Sequence, residues 1–221
     1  MDQRNNSALY GRTFSILGDS YSTFKGWIPT HQDTYYPSPA NVPDVQCVEQ
    51  TWWHQLMQRN NMRLLYNDSY SGATVCLNVR PTQPRSAAFL ERMHQTLSAS
   101  GMKGEKPDCI FLFGGTNDSW IDCEIGEVQY ENRTEADLFK VLPAYCEMID
   151  FVRNENPQAL IVSVINDVLK PELQTGMAAA GKHYGIVTIA LQDVLKENGH
   201  PNALGMRQIA EQIEETCNHM R

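Results

Sequence analysis

No apolar stretch among the 221 residues approaches the ~20 that a membrane-spanning helix needs, so no helical span is expected. Positive charge is scarce. Lys and Arg number 18 against 26 Asp and Glu, the net charge is −8, and no basic run occurs. Such a surface repels phosphate backbones, which argues against nucleic acid as a partner. The first residues, Met1-Asp-Gln-Arg-Asn-Asn, lack the apolar segment of a secretory signal, so the chain as written reads as cytoplasmic, unless a leader has been trimmed away. Cysteine is sparse and dispersed: positions 47, 76, 109, 123, 146 and 217 form no CxxC. Free thiols are expected rather than a disulfide framework, and no metal site follows from them. Neither GxGxxG nor GxxxxGK[ST] follows the first apolar segment, so a nucleotide or flavin is not indicated and no cofactor is expected.

What is present describes an ordinary globular domain. Apolar residues make up 42% and charged residues 20%, and neither repeat, low-complexity tract nor linker divides the chain. A single domain over residues 1–221 is expected, with its core at about 13–219. Five apolar segments read as strands, at 14–17, 64–67, 110–113, 160–165 and 186–190. Helical patterns separate them at 51–60, 86–99, 135–154, 171–183 and 203–219. This alternation predicts a parallel sheet covered on both faces, a three-layer α/β/α sandwich with right-handed crossovers. Three long loops, 21–50, 77–85 and 119–134, fall at one edge of that sheet. The first carries Trp27, His31, Tyr35 and Tyr36, the second Arg80 and Arg85, the third Trp120, Asp122, Glu124 and Tyr130. A loop as long as the first is uncommon unless functional or disordered, and its aromatics argue against disorder.

Four short blocks stand out, in order. Gly18-Asp-Ser20 ends the first apolar run, at the edge where open α/β sheets place their ligands. Tyr70-Ser-Gly72-Ala, Gly114-Gly-Thr-Asn117-Asp and Gly199-His200-Pro-Asn202 follow later apolar segments. Any one of them is ordinary turn or capping chemistry. Together they resemble the blocks that define the SGNH (GDSL-type) hydrolases, esterases and lipases named for Ser, Gly, Asn and His. The resemblance spans nearly the whole chain. It implies a five-stranded, flavodoxin-like parallel sheet of order 2-1-3-4-5, and a small-molecule ester as substrate.

On this resemblance Ser20 is the expected nucleophile, which needs a nearby base because a serine hydroxyl attacks poorly at neutral pH. His200 is the expected base and later acid, since imidazole titrates near working pH. His54, His94, His183 and His219 lie in helical stretches and read as surface or packing residues, while His31 sits in the first loop. The backbone N–H groups of Ser20 and Gly72 and the side-chain amide of Asn117 would form an oxyanion hole. Asp118 reads as a loop tie that accepts backbone N–H bonds.

The third member of the triad departs from the family. Relatives usually carry Asp three residues before the histidine, where this chain has Glu197. Asp193 is a second candidate, read otherwise as the N-cap of a short helical turn over 194–198. A backbone carbonyl that orients His200 is the third. The favoured function is a serine esterase acting through an acyl-enzyme on small or medium esters, with O-acetylated carbohydrate as one candidate class and Trp27, Tyr35 and Tyr36 able to stack on sugar rings. The alternative is an impaired domain of the same fold that binds carbohydrate or ester without turnover. Oligomeric state is not legible.

Overall fold

The computed structural model describes residues 7–40, 42–98 and 105–219. Five strands form one parallel sheet: β1 (Thr13–Gly18), β2 (Arg63–Ser69), β3 (Cys109–Phe113), β4 (Leu160–Ile165) and β5 (Val187–Ala190). Their order is β2-β1-β3-β4-β5, the flavodoxin-like order expected. Neighbouring strands run parallel throughout, with one irregularity between Phe14 and Ser15 where β1 meets β2.

The central strands β1, β3 and β4 are buried on both faces, and their side chains alternate between two apolar layers, while the edge strands β2 and β5 are partly exposed. Phe14, Ile16, Phe111, Phe113, Val162 and Val164 face the layer closed by α1 (Trp52–Arg59) and α6 (Ala203–Asn218). Leu17, Ile110, Leu112, Ile161 and Ile165 face α2 (Phe89–Thr96), α4 (Val141–Glu155) and α5 (Pro171–Tyr184). A short helix, α3 (Thr116–Trp120), follows β3 directly.

Two helices begin later than their patterns suggest. The stretch before α2 is a 3₁₀ turn, Arg85–Ala87, and Ala99 of the expected helix lies outside the described residues. Before α4, Asp137 accepts the backbone N–H of Thr134 at 2.9 Å and starts a separate 3₁₀ turn. Lys140 is then extended, so the helix restarts at Val141. Local carboxylate bonding competes here with helix continuation.

The helical turn expected over 194–198 is absent. In its place β6 (Lys196–Glu197) and β7 (His200–Pro201) form a small antiparallel hairpin. Its two-residue turn is Asn198-Gly199, with φ of 50° and 77°. Positive φ at both positions is the geometry that Asn-Gly supports best and that matches strand twist. Asp193 is therefore not a helix cap; it is exposed, with φ of 51°.

Candidate active site

The C-terminal edge of β1, β2 and β3 is where the strand order switches direction, and three of the four blocks lie there. β1 ends in Gly18, where an added Cβ would lie 2.5 Å from Ser69 Oγ, so the chain can turn here only without a side chain. Asp19 donates its N–H to Phe113 O and accepts that of Tyr21 on its carboxylate at 3.0 Å. The 3₁₀ turn Ser20–Ser22 follows. It is held from below by Trp52 Nε1, which donates to Ser22 Oγ, and by Trp53 Nε1 and Asn67 Nδ2, which donate to Ser22 O. Arg92, buried against Asp68 at 2.9 Å, donates to Gly18 O at 3.0 Å. Ser20 thus leaves a turn fixed on several sides.

His200 arrives from a sequence distance of 180 residues, and its Nε2 lies 3.0 Å from Ser20 Oγ. Its Nδ1 lies 3.2 Å from the backbone carbonyl of Asn198. A neutral imidazole satisfies both contacts when Nδ1–H donates to that carbonyl and Nε2 accepts the serine proton. Tyr35 stacks on the ring at 3.5 Å and 8°, and Trp120 and Tyr21 pack beside it. Burial in this aromatic surround pushes the His200 pKa down to about 4, against the opposing pull of the Asn198 carbonyl. Above that pH the ring is an unprotonated acceptor, able to take a proton from a hydroxyl.

Glu197 is directly opposite His200 in the hairpin, yet it is exposed and makes no hydrogen bond to the ring. Asp193 makes none either. The group on Nδ1 is the carbonyl of Asn198. The hairpin is instead fixed by Tyr21 and Asp167, which the sequence did not single out, and by Tyr36, which it singled out only as a stacking surface. Tyr21 Oη donates to Gly199 O at 2.5 Å, and Tyr36 Oη donates to Pro201 O at 2.7 Å, so two tyrosines hold the carbonyls on either side of His200. Asp167 accepts Val194 N at 2.9 Å and pairs with Lys196. Asn202 caps α6 by accepting Gly205 N.

Gly72 and Asn117 come together across the β1 edge. Gly72 has φ of +87°, and an added Cβ would lie 2.3 Å from Gln83 Nε2. Asn117 Nδ2 donates to Ala73 O at 3.0 Å with one of its two hydrogens, and Asn117 Oδ1 accepts from Arg80 Nη2 at 3.2 Å. Among the described residues, no acceptor takes the backbone N–H of Ser20 or Gly72. Asp118 accepts the N–H groups of Val75 and Cys76 at 2.9 to 3.1 Å, the tie expected of it. Burial raises its pKa.

Asp19 is fully buried, and one of its oxygens has no hydrogen-bond partner. Burial raises its pKa to about 7, and the N–H of Tyr21 and the side chain of Thr116 oppose the shift. The fold also gathers Cys76, Asp118 and Cys123 so that their ligand atoms lie within 4.8 Å of one another. Sequence spacing gave no hint of this group, although its carboxylate is already occupied by backbone N–H donors.

All three long loops reach the site, through Tyr35, Arg80 and Trp120. Tyr36 is fully buried and cannot stack on a ligand. Trp27 is 41% exposed but packs on Trp53 and His54. A cleft of about 580 Å³ lined by Tyr130, Arg133, Asp150 and His183 contains no residue of the four blocks.

The model of the GDSL-like lipase/acylhydrolase family matches residues 12–217. No curated protein matches the chain. Among solved structures, a GDSL-like lipase candidate from Bacteroides uniformis is 38% identical, with a TM-score of 0.84 over 93% of this chain and 94% of its own. A second candidate, from Bacteroides ovatus, is 39% identical, with the same TM-score over 93% and 97%. An acetyl xylan esterase from Butyrivibrio proteoclasticus shares the fold at 18% identity and a TM-score of 0.54, covering 93% of this chain and 63% of its own. The family match over nearly the entire chain and the two close structural relatives agree with the order of the four blocks: this chain belongs to the GDSL-like lipase/acylhydrolase family.

Proposed function

We propose that the protein is a serine esterase in which Ser20 is acylated and then released by water. The observation that carries this reading is the 3.0 Å contact between Ser20 Oγ and His200 Nε2, in a ring whose other nitrogen is turned toward a carbonyl. Ser20 Oγ attacks the ester carbon as its proton passes to His200 Nε2. The carbonyl oxygen becomes an anion, met by the N–H groups of Ser20 and Gly72 and the remaining hydrogen of Asn117 Nδ2. His200 then gives its proton to the departing alkoxide, and water repeats the sequence on the acyl group.

The histidine is oriented by the Asn198 carbonyl, so the machinery is a Ser–His dyad. The imidazolium formed in the reaction is stabilised by that carbonyl and by the stacked face of Tyr35, in the manner of a cation–π contact. The substrate is a small or medium ester. An O-acetylated carbohydrate is supported by the acetyl xylan esterase among the fold relatives and by Trp120, 41% exposed beside His200.

The missing carboxylate on His200 Nδ1 is also what a ligand-binding domain without turnover would show. One experiment separates the readings. A fluorophosphonate probe is expected to label wild-type protein at Ser20, and p-nitrophenyl acetate turnover is expected to vanish in Ser20→Ala. A label on another residue, or none on folded protein, leaves the binding reading.

A further inference from the structure

We propose that Arg80 recognises a carboxylate on the substrate, so that the preferred ester carries a negative charge close to the bond that is cleaved. This rests on the esterase reading of Ser20 and extends it to a substrate class.

Arg80 is placed by its backbone. Its carbonyl accepts the N–H of Gln83 at 2.9 Å, closing a tight turn. Gln83 in turn lies against Gly72 and donates to Ser71 O at 2.6 Å. The loop is thereby locked to the second block, and the guanidinium reaches the third, where Nη2 donates to Asn117 Oδ1 at 3.2 Å. Asn117 is the side chain whose amide faces the developing oxyanion. A group held by Arg80 therefore sits within a few bonds of the ester carbon.

The cation has no internal counter-charge. Among the described residues, Arg59, Arg63, Arg85, Arg92 and Arg133 each pair with a carboxylate within 4.0 Å, whereas Arg80, like Arg12, Arg153 and Arg207, pairs with none; of these four, Arg80 is the one bonded to a residue of the four blocks. Its Nε is buried and has no acceptor. An unmatched donor of this kind is costly, and in native proteins it calls for an explanation. The bond from Nη2 to Asn117 Oδ1 leaves Nε without an acceptor and the charge of the half-buried guanidinium without a carboxylate. A guanidinium edge matches a carboxylate in shape and charge, with two parallel N–H···O bonds. The surrounding protein has a net charge of −8, so a single unpaired cation at the site edge gives anionic esters a local attraction that the surface as a whole denies them.

The test uses two pairs of esters of matched size, measured on wild type, Arg80→Gln and Arg80→Lys. One pair places the charge on the alcohol: 4-acetoxybenzoate against 4-acetoxybenzamide. The other places it on the acyl group: 4-nitrophenyl hemiadipate against 4-nitrophenyl heptanoate. In wild type, kcat/KM for the anionic member of at least one pair is expected to exceed its neutral partner by about tenfold or more, the scale of one charge-assisted hydrogen bond. Arg80→Gln should bring that ratio close to one, with any loss transmitted through Asn117 shared by both members of a pair, and Arg80→Lys should restore part of the ratio.

A wild type without charge preference in either pair, or a preference that survives in Arg80→Gln, overturns the proposal. So does an equal loss on both members, which would show that Arg80 only holds Asn117. Binding of the first pair to Ser20→Ala, read by calorimetry with and without Arg80→Gln, reports the carboxylate site without turnover. Charge-selective binding there with no hydrolysis by wild type would sink the esterase reading and leave Arg80 standing. Hydrolysis without charge selectivity does the reverse.

Discussion

Ser20 and His200 reach the same 3.0 Å contact by two unlike routes. Ser20 grows out of a strand in the middle of the sheet, buried on both faces and bonded on both edges. Its turn is fixed beneath by Trp52, Trp53, Asn67 and Arg92. His200 sits on a hairpin of two residues per strand, outside the main sheet, with polar tethers in place of a layer of its own. Those tethers are Tyr21, Tyr36 and Asp167. Both sides use hydrogen bonds and aromatic contacts, but the serine turn is built on a central strand of the sheet and the histidine on a short hairpin outside it. Damage to the first should cost folding, while damage to the second should cost activity in a fold that survives.

The sharpest test of that contrast removes the contact itself. Ser20→Ala is expected to lower kcat by at least about 10⁴-fold with little change in melting temperature, since triad-type hydrolases lose that much with their nucleophile. Retained hydrolysis by the purified variant would show that the pair is structural. Next in size is Asn117→Ala. Loss of one oxyanion donor typically costs about 10²–10³ in kcat, and KM should move far less. An unchanged kcat would make Asn117 a tie between Ala73 and Arg80 only.

Tyr21→Phe addresses the histidine side directly. It removes the hydroxyl that holds Gly199 O and keeps the ring that packs against Phe113. A drop in kcat of roughly tenfold with a stability loss of about 1 kcal/mol is expected, the net worth of one hydrogen bond. A large loss of stability with full specific activity would place Tyr21 with the packed region instead.

The two regions also differ in how they answer to pH. Asp19, on the serine side, has a folded pKa of about 7, above its ordinary 3.8. The folded state therefore binds the extra proton, and the stability Asp19 allows falls as pH rises from about 4 to 7. His200 has a folded pKa of about 4, below its ordinary 6.5, so its contribution falls as pH drops through that window. The slopes oppose each other. Asp19→Asn should remove the first, so its unfolding free energy relative to wild type, read by denaturant titration, should climb from pH 4.5 to 7.5 by a few kcal/mol at most, on the order of 1.4 kcal/mol per pKa unit. A difference that stays flat would mean that Asp19 is ionised throughout.

The smallest expected effect is at Glu197. Because it is exposed and Nδ1 of His200 faces Asn198 O, Glu197→Gln should change kcat by less than about threefold. A loss near 10⁴, the scale seen when a triad carboxylate is made an amide, would restore the full triad.

The strands and their order follow from patterns of two kinds. Continuous apolar runs such as Cys109–Phe113 have few alternatives to a buried strand, and helical segments between them leave few topologies open. The four blocks add where the chemistry gathers, because the first ends an apolar run and the others follow later apolar segments. The hairpin was harder to read. Asn198-Gly199 is a strong turn signal, but strands of two residues carry no periodicity, and the Gly before His200 equally suits a helix stop.

By itself the sequence determined the layers, the sheet, the family resemblance and the serine, glycine, asparagine and histidine to examine, because local hydrophobic period and short turn motifs are written within a few residues of one another. Only the tertiary structure decided what touches them. Tyr21 and Gly199 stand 178 residues apart, Tyr36 and Pro201 165, and Arg80 and Asn117 37. Each of these contacts joins segments on different strands or loops at the sheet edge. A tyrosine hydroxyl or a guanidinium carries no mark in its own neighbourhood of which distant carbonyl or amide it will meet. That partner is fixed only once strands have paired, crossovers have closed and buried polar groups have found the nearest acceptor.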